Sequence, residues 1–225
     1  MKKKKIIIWT VVAVIAAALL GIGIYFGIQA YKYSQIRFDI KDTLPNGQGK
    51  KVTVILLAGQ SNASGCSRDD YLQKNVSADQ YTQYRNGYDN VYINYYVSGN
   101  NISQGFVKCA ALQGETGGHF GPELGLAEKL NQLYPDEMFF IIKWAWGGTD
   151  LYNMWLSPSS NGTTGQLYTP FVKYVQTSLE YLTYKNYDVT IEGMCWMQGE
   201  SDSIEDGPIY TSNLWLSLLM YVAGT

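Results

Sequence analysis

Val52-Thr-Val-Ile-Leu-Leu-Ala-Gly-Gln-Ser61-Asn62 is the stretch whose reading decides the fold. Its first seven residues are apolar or β-branched without a break, which predicts a strand buried on both faces rather than an alternating surface strand. Gly59 ends the run, and Gln60, Ser61 and Asn62 follow where the chain has to turn. In open α/β sheets, ligands bind outside the carboxyl ends of the strands. Ser61 therefore falls where a nucleophile would sit, although the same residues also suit an ordinary polar turn.

Downstream, residues 63–90 are polar and Tyr-rich and predict a short helix or irregular loop, with Asn86-Gly87 marking a turn. Residues 91–97 alternate enough for a strand. Residues 98–118 are rich in Gly, Asn and Ser and read as an active-site loop. Residues 122–133 open on Pro122 and repeat Leu124, Ala127 and Leu130 at helical spacing. A second buried strand over 138–146 ends in Gly147-Gly148-Thr149, and 157–165 form a loop. A helix over 168–184 carries Phe171, Val175, Leu179 and Leu182 at helical intervals. A strand over 189–197 runs into Gln198-Gly-Glu-Ser-Asp202, and a final helix is expected over 209–222. This alternation predicts a doubly wound parallel sheet with helices on both faces, its polar or Gly-rich turns converging on one sheet edge.

A chain of 225 residues, 46% hydrophobic and with a net charge of −2, suits one globular domain with a substantial core. No basic excess exists beyond the first few residues, so no nucleic-acid partner is indicated. Cys66, Cys109 and Cys195 lack metal-type spacing, and His119 is the single histidine, which argues against a zinc site. No metal or organic cofactor is expected. The cysteines allow at most one internal disulfide, whose pairing stays open.

Lys2 to Lys5 are followed by 26 uncharged residues, mostly Ile, Val, Ala, Leu and Gly, before Lys32. That run exceeds the roughly 20 residues needed to cross a bilayer and the about 7–15 of a cleavable signal core. Residues 1–31 are therefore expected to form a transmembrane signal anchor, with the lysines cytoplasmic and the remainder outside. The alternative is secretion after cleavage at Ala30. Residues 32–50 read as a linker, and the domain is expected to begin at residue 51.

Three stretches recur as an ordered set: Gly59-Gln60-Ser61-Asn62, Phe120-Gly121-Pro122-Glu123, and Trp196-Met197-Gln198-Gly199-Glu200-Ser201-Asp202. Together with Lys143-Trp-Ala-Trp-Gly-Gly148-Thr149, this set resembles the sialate O-acetylesterase and acetylxylan esterase branch of the SGNH hydrolases. The resemblance covers roughly residues 52–210. It implies a flavodoxin-like three-layer sandwich around a parallel sheet, and an acetylated carbohydrate as substrate. Ser61 would be the nucleophile that forms an acyl-enzyme. The oxyanion would be met by the backbone N–H of Ser61, by a backbone N–H near Gly118, and by the side-chain amide of Gln198. Gln60, Asn62, His119, Glu123, Gly148, Glu200 and Asp202 would line or support the pocket. Glu200 and Asp202 would hold loops, and Glu123 would sit in a first helical turn, where a carboxylate suits the helix dipole.

A serine hydroxyl needs a general base, usually a His oriented by a carboxylate. In the family that pair lies in an Asp-x-x-His motif near the C-terminus, and none occurs in this sequence. The domain over 51–225 is thus expected to be incomplete, lacking a last strand and helix, and to be weakly active or inactive. His119 reads as a loop residue near the pocket, with a role as substitute base the lesser alternative. The competing reading is a surface carbohydrate-binding protein that kept the pocket without catalysis.

Overall fold

The computed structural model describes residues 2–34, 38–159 and 164–203. The chain divides into two compact units, Met1–Arg37 and Phe38–Thr225. In the first, the apolar run forms a single helix, α1 (Lys2–Ser34), of 33 residues. Its described apolar side chains, among them Trp9, Ile15, Leu19 and Leu20, are exposed. Among the described residues no helix is long and apolar enough to cross a membrane, so the expected membrane span is not met there.

The second unit is mixed α/β with a mostly parallel central sheet. Its strands are β1 (Lys51–Gly59), β2 (Ser67–Arg68), β3 (Val91–Val97), β4 (Asn101–Ile102), β5 (Val107–Lys108), β6 (His119–Phe120), β7 (Phe139–Ala145) and β8 (Asp188–Met197). Its α-helices are α2 (Ser61–Ser64), α3 (Asp69–Asn75), α4 (Ala78–Asn86), α5 (Pro122–Leu133) and α6 (Tyr168–Tyr184). The central order is β3-β7-β1-β8, all parallel, with β4 and β5 added antiparallel to β3. β1 is flanked on both sides: Gly59 lies opposite Ala145 of β7 and Met197 of β8. The polar ends of three parallel strands therefore meet at one edge of the sheet.

Side-chain alternation along β7 divides the core into two layers. Phe139 and Ile141 pack with Leu57, Ile93 and the Leu124, Ala127 and Leu130 stripe of α5. Trp144, on the opposite face, meets Tyr174 of α6 at 5.4 Å between ring centroids, and Phe140 meets Phe106 at 5.0 Å. Helices thus cover both faces. β7 is buried at every residue, whereas no residue of β8 is fully buried. The register of β8 slips between Val54 and Ile55, which face Ile191 and Gly193. Glu192 is the extra residue of this bulge, and the slip reverses which face the later residues occupy. Trp196 accordingly packs edge-on against Trp155, at 5.2 Å.

Several elements differ from the sequence expectation. Residues 63–90 hold two helices, α3 and α4, whose contribution to the core is mainly Tyr84. Leu151–Trp155 forms a π-helical turn that no periodicity announces. Residues 38–50, read as linker, belong to the second unit. The Thr43 and Leu44 N–H groups donate to Tyr181 Oη at 2.9 and 3.0 Å, Gly47 N donates to Lys185 O at 2.6 Å, and Leu44 is buried. These are single backbone bonds to α6 and its end, which leave no periodic trace in composition. The helix expected over 209–222, and the expected lack of a final strand and helix, lie outside the described residues.

Candidate active site

The end of β1 is shaped by Gly59. Its φ is +143°, and a Cβ there would lie 1.9 Å from Met197 O, so only glycine lets β1 and β8 approach this closely. Trp146 N donates to Gly59 O, and Gln60 N to Met197 O, both at 2.9 Å. The chain then enters α2, closed by Ser64 N to Gln60 O at 2.7 Å and Gly65 N to Ser61 O at 2.9 Å. Ser61 is its first residue and is half-buried, directly beyond the carboxyl end of the central strand.

Glu200, just past β8, spans the serine. Its two carboxylate oxygens accept from Gln60 Nε2 and from Asn62 Nδ2, the residues on either side of Ser61. Ser201 Oγ donates to Gln60 Oε1 at 3.1 Å, and Gln60 is itself buried. Charged acceptors make the stronger hydrogen bonds, so the Gln198–Asp202 turn grips both ends of the Gln60–Asn62 tripeptide.

Asp202 is buried and turns the other way. Its carboxylate accepts from Leu151 N at 2.9 and 3.0 Å and from Tyr152 N at 3.3 Å, capping the π-helical turn. Gln198 Nε2 donates to the Asp202 carboxylate and, at 3.0 Å, to Thr149 O. Both amide hydrogens are therefore directed toward the Thr149–Asp202 side and not toward the Ser61 turn.

Beneath the serine turn lies a buried ion pair. Lys143 Nζ is 2.6 Å from Glu123 Oε2, both side chains are fully buried, and Nζ also donates to Ser64 O at 2.9 Å and Gln113 O at 3.0 Å. Glu123 Oε1 accepts from Gly121 N at 2.7 Å. Gly121 is pressed against Gly65, whose φ is +88° and whose added Cβ would lie 2.4 Å from Gly121 Cα. The Phe120–Glu123 stretch thus docks on the turn that carries Ser61. A helix-dipole role for Glu123 left Lys143 out of account. The available signal was a lone lysine inside Phe139-Phe-Ile-Ile-Lys-Trp-Ala145, because lysine is almost never fully buried unless paired.

The remaining candidates lie around the rim. Gly118 is exposed, accepts from Asp69 N at 3.0 Å, and thereby ties its loop to α3. His119 pairs across β2–β6 with Arg68, and its Nδ1 shares a hydrogen with Thr116 Oγ1. No hydrogen bond joins His119 to Ser61 among the described residues. Gly148, exposed at φ +69° in the turn after β7, has open space where a Cβ would lie. Burial first, and the Glu115 carboxylate second, push the Cys66 thiol up; Cys66 Sγ lies 3.5 Å from Ser61 O. A cleft of about 500 Å³ opens on the β8 side, lined by Asn62, Trp196, Gln198, Gly199 and Glu200 among others. No cluster of His, Cys, Asp and Glu suited to a metal occurs among the described residues.

The family model described as carbohydrate esterase, sialic acid-specific acetylesterase matches residues 51–217. Among solved structures, the chain resembles a protein from Arabidopsis thaliana at 1.6 Å resolution, with TM-score 0.51 and 19% identity over 80% of this chain and 70% of that one. It also overlaps NanS with TM-score 0.48 and 17% identity, over 75% of this chain and 61% of that one. The first likeness bears on the fold alone, and the second supports no argument. No curated protein matches the chain.

Proposed function

Because this chain belongs to the carbohydrate esterase family of sialic acid-specific acetylesterases, we propose that it is a carbohydrate O-acetylesterase with Ser61 as its nucleophile. The carrying observation is the placement of Ser61, on a turn past the carboxyl end of β1 with both sequence neighbours held by Glu200. Ser61 Oγ attacks the acetyl carbonyl as a general base takes its proton; the bond from the acetyl carbon to the sugar oxygen then breaks, and the base returns the proton to that oxygen, so the sugar leaves as its hydroxyl. Water then hydrolyses the acyl-serine to acetate. Backbone N–H groups at Ser61 and Gly148 are the favoured oxyanion donors, since Gly147 N donates to Ser98 Oγ and the Gln198 amide hydrogens go to Thr149 O and Asp202.

Acetate release from acetylated xylose and from an O-acetylated sialic acid tests this reading. Measurable turnover that disappears in Ser61→Ala supports it. Turnover that persists in Ser61→Ala removes Ser61 as nucleophile. Sugar binding with no turnover favours a binding protein that kept the pocket.

We further propose, from the sequence, that α1 anchors the domain on the outer side of a membrane. Support comes from the 26 uncharged residues between Lys5 and Lys32 and from the apolar side chains exposed along the helix. Recovery in a carbonate-washed membrane fraction, lost on deleting residues 1–31, is the expected result.

A further inference from the structure

We propose that Lys143 is a positioning residue for the nucleophile turn. With Glu123 as its counterion, it fixes the carbonyl at the far end of the Ser61–Ser64 helix. The inference rests on the reading of Ser61 as nucleophile. α2 has four residues and is closed by two backbone hydrogen bonds. A helix so short does not hold itself, because nucleation is unfavourable and too few residues follow to recover the cost. It must be held from outside. Glu200 holds its leading end through Gln60 and Asn62. Its trailing end is held by Lys143 Nζ, 2.9 Å from Ser64 O.

An ammonium has three hydrogens and no acceptor. Here all three find partners, at Glu123 Oε2, Ser64 O and Gln113 O. Glu123 is in turn oriented by Gly121 N. A buried ion pair is by itself weak evidence of stability, since well-packed apolar residues hold a fold as well. What apolar residues would not provide is a charged donor aimed at the Ser64 carbonyl. The pair also brings together three stretches far apart in sequence: the serine turn, the Phe120–Glu123 segment, and β7.

The deciding measurement is backbone amide exchange at Ser64 and Gly65 relative to Ile141 and Ile142 in the same sample. The variants are Lys143→Met and the double Lys143→Met/Glu123→Gln. The double removes both buried charges, so it is expected to fold even where the single does not, and the amide oxygen of the Glu123→Gln change still accepts from Gly121 N. The ratio of turn to strand exchange is expected to rise roughly ten- to hundredfold in the double variant, the loss of one charged hydrogen bond. An unchanged ratio overturns the proposal, as does a double variant that fails to fold, which would make the pair general support for the sheet. Acetate release should show kcat lowered with KM unchanged. A wild-type protein with no acetate release would instead refute the esterase reading, while the exchange ratio would still decide the positioning role.

Discussion

β1 has two parallel neighbours that hold the serine turn by opposite means. On the β7 side the strand is buried throughout and supplies Lys143, a buried charge with every hydrogen engaged. On the β8 side no residue is fully buried, the register carries a bulge, and the hold comes from Glu200, an exposed carboxylate beyond the strand end. One side is rigid through desolvation and packing. The other is polar, faces an open cleft, and among the described residues has no strand beyond it. A nucleophile fixed on one flank and open on the other admits a ligand without losing its geometry.

Removing one charge from each side should separate the two. Glu123→Gln leaves the Lys143 ammonium buried without its counterion and should cost about 3–5 kcal/mol of unfolding free energy. The same change at Glu200 weakens two hydrogen bonds near solvent and should cost on the order of 1 kcal/mol. Urea titrations of both variants check this, and equal losses would erase the distinction. Matched truncations sharpen it further. Ile141→Ala, in the fully buried strand, should cost about 2–5 kcal/mol, and Ile191→Ala, half-buried in β8, about 1 kcal/mol.

The cysteines report the same contrast at the smallest scale. All three are free; Cys109 is buried between the sheet and α5, while Cys195 lies exposed on β8. Burial raises both thiols, Cys109 well above the usual range. A raised thiol holds less thiolate at a given pH, so alkylation at pH 8 is slower than for a free cysteine and accelerates as pH rises. Native protein treated with iodoacetamide should label Cys195 slowly and leave Cys109 unlabelled. Rapid labelling of Cys109 would mean that the α5 face opens.

Much of the fold was legible because burial on both faces leaves an uninterrupted apolar run and an amphipathic helix leaves a 3.6-residue stripe. β1 carries the apolar run, β7 the same run broken only by Lys143, β3 an alternation, and α5 and α6 the helical stripe, and their boundaries fall within a residue or two of those read from sequence. α3 and α4 were blurred by their mostly exposed, polar surfaces. The bulge at Glu192 left no trace, since a one-residue slip depends on the partner strand. The motif stretches were visible as residue types, but their pairings were not. Gln198 reads from sequence as an oxyanion donor, and that its amide donates to Thr149 O and the Asp202 carboxylate emerges only from the packing.

Sequence alone determined the alternation of strands and helices, the place of Ser61 after the central strand, and the family, because periodicity and ordered motifs are local properties of the chain. Tertiary structure decided which side chains meet. Lys143 finds Glu123 from 20 residues away and Ser64 from 79, while Glu200 reaches Gln60 across 140. Such partnerships arise from strand order and register, which bring distant residues together through a three-dimensional packing that no local pattern encodes.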